Sequence, residues 1–77
     1  MSKESEAAKV FRERVREVMT LRGTTITELA EAVGMSRPGL SRVLSGAEGI
    51  SLSRAERIAD EINISLADLL NSEKIIE

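Results

Sequence analysis

Residues 26–44 read ITELAEAVGMSRPGLSRVL, and their pattern decides the fold. Ile26, Leu29, Ala30 and Val33 recur at i, i+3, i+4 and i+7, the spacing of one face of a short helix. Thr25 and Glu28, three residues apart, have capping-box spacing, so Thr24 or Thr25 starts this helix. Gly34 ends it, since glycine tolerates the positive φ of a helix stop. Met35 serves as an apolar plug in the turn. A second apolar face follows in Leu40, Val43 and Leu44, and Gly46 closes it. Two starts fit this second helix. Ser36 has the side chain to cap it, with Pro38 in a first turn where a missing amide hydrogen costs nothing. Alternatively Arg37 is the cap and the helix begins at Pro38, because a residue before proline avoids helical angles. Arg37, Ser41, Arg42 and Ser45 point away from the apolar face.

The flanking sequence supplies support for these two helices. Residues 1–5 are polar and expected to be a flexible N-terminus. Residues 6–22 predict a long helix with Phe11, Val15, Val18 and Arg22 on one row and Val10 and Met19 beside it. Gly23 fits its left-handed closing residue. After a loop over 46–50, Ser51 or Ser53 caps a fourth helix, and Ser53 with Glu56 again has capping-box spacing. Leu52, Ala55, Ile58, Ala59 and Ile62 form its expected buried stripe, and Asn63 its stop. Residues 65–70 predict a short fifth helix, with Leu66 and Leu69 in the core. The expectation is therefore an all-α, compact five-helix bundle over 6–72. The tail 73–77 carries Ile75 and Ile76, too apolar to leave in water, and is assigned to dimer contact.

Composition narrows the function. Seventy-seven residues make one small domain, and a single aromatic residue, Phe11, leaves an aliphatic core. The chain has no cysteine and no histidine, so thiol chemistry, the commonest general base and the commonest zinc ligands are absent. No paired-carboxylate pattern involves Asp60 or Asp68, so an enzyme is the class that fits worst, and no cofactor or metal is implied. The apolar runs are far too short for a membrane span, and the N-terminus has no signal-peptide core. The expected location is the cytoplasm. Net charge is −2, against the usual basic balance of nucleic-acid binders. The acid is concentrated in residues 58–77, whereas residues 36–57 carry four arginines against two glutamates. The field on one face matters more to binding than the total.

Two helices meeting at roughly 90–120° across a glycine-bearing turn form a helix-turn-helix unit. Ala30 supplies the small residue at the crossing, Gly34 the positive φ, and Ile26, Leu29, Val33, Met35, Leu40 and Val43 the apolar contacts. Residues 29–46, LAEAVGMSRPGLSRVLSG, resemble the lambda-repressor-like family, also called Cro/CI or XRE-type. Residues 49–70, GISLSRAERIADEINISLADLL, resemble that family's fourth and fifth helices. The pattern is also similar to HigA-type antitoxins, which share the fold. The resemblance covers roughly Val10 to Leu70. It implies a dimeric transcriptional regulator, a repressor, whose third helix lies in the major groove of double-stranded DNA on an inverted repeat. The alternative is a protein-interaction module, an antitoxin that binds a toxin partner and regulates its own promoter.

Residue by residue, the resemblance puts the base-reading positions on Arg37, Pro38, Gly39, Ser41 and Arg42. Arginine can read guanine through O6 and N7, Ser41 can meet a base or a phosphate, and Pro38 offers apolar contact. Gly39 allows close backbone approach. Thr25 and Thr27 at the start of helix 2 can bond phosphate through hydroxyls and amides, and Ser36 joins this set at the start of helix 3. Ala30, Gly34, Leu40 and Val43 need no role beyond packing and the turn. Arg54 and Arg57 read as a surface charge pattern with Glu56 and Glu61, and Arg12 and Arg16 likewise. Three positions depart from the family pattern. Ile26 stands where glutamine is frequent, Met19 where a basic residue is common, and Glu48 occupies a loop that is often basic. These departures imply fewer phosphate contacts and a shallow salt dependence.

Overall fold

The computed structural model describes residues 6–70. They form α1 (Glu6–Arg22), α2 (Ile26–Val33), α3 (Arg37–Ser45), α4 (Leu52–Ile62) and α5 (Leu66–Leu70), with no strand among them. The expected flexible segment 1–5 and the dimer-contact tail 73–77 lie outside the described residues, as do positions 71 and 72 of the expected 6–72 domain. α1 packs against α3, α4 and α5; α2 packs against α3 and α4. The core sits where these helices meet, around Phe11, Val15, Leu29, Leu40, Ile58 and Leu69. Complete burial of such a side chain contributes about 1.5–3 kcal/mol, so a few of them carry a domain this small. Among the described residues no polar or charged side chain is buried.

The helix limits follow from identifiable caps. Thr25, rather than Thr24, starts α2, and its capping box is closed in both directions. The Thr25 hydroxyl accepts from the Glu28 amide at 3.1 Å, and the Glu28 carboxylate accepts from the Thr25 amide at 2.9 Å. Ser36 caps α3 by accepting from the Gly39 amide at 3.0 Å. Arg37 is therefore the first helical residue and not the cap, and α3 does not wait for Pro38. The serine oxygen supplies an acceptor that arginine lacks, and this outweighs the pre-proline preference. Ser51 caps α4 through the Arg54 amide at 3.2 Å. The expected Ser53–Glu56 capping box does not define the start.

Leu52 is a further correction, since it is 67% exposed where a buried stripe was expected. The other four stripe residues, Ala55, Ile58, Ala59 and Ile62, are buried. Leu52 is the first residue of α4 and precedes the part of the helix that the bundle covers. Ile50, just before the cap, packs against the core instead.

α1, α2 and α4 end alike. Gly23, Gly34 and Asn63 take the left-handed conformation, and the next residue's amide returns to a carbonyl five positions back. These bonds are Thr24 to Met19 at 2.9 Å, Met35 to Ala30 at 2.9 Å and Ile64 to Ala59 at 3.1 Å. The closure at Gly34 holds Met35 in the α2–α3 turn, where it packs against the core. α3 also ends on a left-handed glycine, Gly46, and its last carbonyls accept from the Glu48 amide and from side chains.

Candidate nucleic-acid interface

α3 buries Leu40, Val43 and Leu44 and turns its other side to solvent. Ser36, Arg37, Pro38 and Arg42 are exposed, while Gly39 and Ser41 are half-buried. The apolar spacing of the helix produces this division: with one face committed to the core, the residues between are turned outward. The Arg37 side chain, in the first turn of α3, makes no hydrogen bond or ion pair with any described residue. Gly39 has an internal reason to lack a side chain. A Cβ there would lie 2.9 Å from Ser36 Oγ, so the glycine leaves room for the α3 cap.

The start of α2 is partly occupied. Thr25 engages both its amide and its hydroxyl oxygen in the capping box, and the Glu28 carboxylate sits at the helix N-terminus. Of the two threonines expected to face phosphate, Thr27 is exposed and outside that box. An open groove of about 540 Å³ separates this region from α3. Thr20, Thr24, Ser41 and Ser45 line it with hydroxyls, Arg16 with a guanidinium, and Met19 and Ile26 with apolar surface. Ile26 and Met19, the two departures from the family pattern, thus fall in one groove beside α3. Thr20, Thr24 and Ser45 were not singled out by their spacing, because hydroxyls scattered over three elements have no common period.

The C-terminal end of α3 is held from two directions. Arg12 and Arg16 of α1 both donate to the Leu44 carbonyl, at 3.2 and 2.9 Å. This corrects the expectation of a plain surface charge pattern at these positions. Cationic donors at the negative end of a helix satisfy an orphan carbonyl and the helix dipole together. Their i, i+4 spacing places both on one face of α1. Gly46 accommodates them: its φ is +89°, and a Cβ would come 2.9 Å from the Arg12 guanidinium carbon. Arg22 does the same for α4, donating to the Ile62 carbonyl.

From the other side, Glu48 folds back onto Arg42. The Arg42 Nε donates to the Glu48 carboxylate at 2.9 Å, and the Glu48 amide donates to the Arg42 carbonyl at 3.2 Å. The two outward arginines of α3 are therefore not equivalent. Arg37 is unpaired toward the described residues; Arg42 carries a carboxylate.

A helix-turn-helix family model of the XRE, lambda-repressor-like type matches residues 15–69, most of the chain. The chain belongs to the XRE-type helix-turn-helix family. No curated protein and no solved structure gave a significant match. Membership makes the protein a DNA-binding transcription regulator of the XRE type, with DNA as its partner. The matched span runs from the middle of α1 to the end of α5, so it includes the α1 residue Arg16 and the loop residue Glu48 that brace α3. No described helix of this XRE-type chain is long and apolar enough to cross a membrane.

Proposed function

We propose that this XRE-type regulator is a sequence-specific repressor that binds double-stranded DNA as a two-fold dimer. Each α3 enters a major groove, with half-sites about one helical turn apart, roughly 10 bp, on an inverted repeat. Arg37, Pro38, Gly39, Ser41 and Arg42 meet base edges, Arg37 by pairing with guanine. Ser36, Thr25 and Thr27 contact phosphate, with Thr27 the freer of the two threonines. Repression follows from occupying promoter DNA. The observation that carries this proposal is the division of α3: its apolar side is buried, and its first turn presents exposed Ser36, Arg37 and Pro38.

The dimer contact is assigned to apolar surface on α1 and α5, where Leu21 is 84% exposed and Leu70 38% exposed, together with Ile75 and Ile76. Exposed leucines on this side also support a second reading, the antitoxin, in which a toxin partner covers the α1 surface. Co-expression with a neighbouring small gene separates the two: stable co-purification of its product supports the antitoxin.

Amide perturbation mapping tests the placement of α3. A mixed-sequence duplex is titrated into the labelled protein at low salt. Perturbations concentrated on residues 25–27 and 36–42 are expected. Perturbations confined to α4 and α5 would remove α3 as the reading element.

A further inference from the structure

Glu48 stands where a DNA-facing surface gains least from an acid. It lies six residues beyond Arg42, across the turn at Gly46. Its amide is anchored on the Arg42 carbonyl at 3.2 Å, and its carboxylate meets Arg42 Nε at 2.9 Å. The turn between them is itself pinned: Ser45 Oγ donates to the Arg42 carbonyl at 3.1 Å and accepts from the Ala47 amide at 3.3 Å. The pair is not a buried structural bridge. Arg42 and Glu48 side chains are 57% and 55% exposed, so water and ions reach both. An exposed pair of this kind adds little to folding, and its consequence is for whatever approaches the surface.

Two effects follow. First, the carboxylate offsets the arginine's charge toward phosphates, which weakens binding to any duplex regardless of sequence. Second, the Nε contact favours one orientation of the guanidinium and leaves its Nη groups to donate elsewhere. A pre-oriented pair of donors suits guanine O6 and N7, whereas a mobile arginine spends itself on the nearest phosphate.

We propose that Glu48 is a specificity-determining positioning residue: it holds Arg42 for base contact and suppresses sequence-independent attraction to the DNA backbone. This rests on the assignment of α3 as the reading element. Glu48 thereby gives an acidic protein with few phosphate contacts a high ratio of specific to non-specific binding.

The test is a double-mutant cycle of Glu48→Gln and Arg42→Ala. Binding to a duplex selected by the wild type, and to a scrambled duplex, is measured by anisotropy across a salt series. Circular dichroism melts establish that each variant is folded. Glu48→Gln is expected to bind the scrambled duplex more tightly, steepening its salt slope by about one unit. Its specificity ratio should fall about threefold to fivefold, the size an exposed ion pair can deliver. In the Arg42→Ala background most of that change should vanish. If Glu48→Gln changes the ratio equally with or without Arg42, Glu48 acts only as a distant repulsive charge and the positioning role is overturned. If slope and ratio do not change at all, the proposal fails while the regulator assignment stands. If the wild type selects no duplex, the regulator assignment itself has failed; the proposal then falls with it. The Arg42 Nε–H resonance in free protein still reports separately on the pair, moving in Glu48→Gln where the contact exists.

Discussion

Arg37 and Arg42 look interchangeable in the sequence: both are arginines on the outward side of the same short helix. In the structure they differ by a single partner, the Glu48 carboxylate at 2.9 Å from Arg42 Nε. Arg37 is the simpler probe of base reading. Arg37→Ala should weaken binding to a selected duplex by about 1–3 kcal/mol, the range for losing a two-pronged guanine contact. It should weaken binding to a scrambled duplex much less, and titration of both duplexes checks this. An equal loss on both would make Arg37 a phosphate contact. The Arg42–Glu48 pair was not legible from spacing, since six residues across a turn match no helical period. By contrast, Thr25 with Glu28 was legible, because a capping box is a local pattern that needs only three residues of chain. Ser36 was legible only as one of two options, and the bond to the Gly39 amide decided between them.

At the scale of elements, apolar periodicity located all five helices and the turn between α2 and α3, because burial of one face dictates spacing within a helix. It overreached at Leu52, where a helix continues its apolar pattern beyond the surface that covers it. It was silent on how α3 is braced, since a guanidinium at Arg12 meeting a carbonyl at Leu44 has no local signature. Those braces yield two expectations. Gly46→Ala should destabilise the domain by about 1–3 kcal/mol, combining left-handed strain with displacement of Arg12. For a domain of this size that lowers the melting temperature by about 4–8 °C per kcal/mol. Arg12→Ala and Arg16→Ala should show the opposite of simple addition. The two share the Leu44 carbonyl, so either can satisfy it, and only the double variant orphans it. Urea denaturation of the singles and the double should give a double loss larger than the sum. Strict additivity would mean that the two arginines act independently and do not substitute for one another at the Leu44 carbonyl.

For the whole molecule, an overall charge of −2 predicts low affinity for DNA of arbitrary sequence. Exposed apolar surface around Leu21, with Val18, Ile64 and Leu69 in an adjoining groove, is the face on which the proposed dimer contact is placed. Deleting residues 75–77 should then weaken self-association in sedimentation velocity while leaving the helical content unchanged; an identical sedimentation coefficient at all concentrations would remove the tail from the contact. The fold could be inferred from the sequence far more completely than the target, because core positions obey a spacing rule whereas base preference depends on how a few side chains are held. The most direct measurement is therefore selection of bound duplexes from a random double-stranded pool by the wild-type protein. The expected result is an enriched inverted repeat with guanine in each half-site and half-site centres about 10 bp apart. A pool that remains unenriched after repeated rounds at low salt would contradict sequence-specific binding by α3.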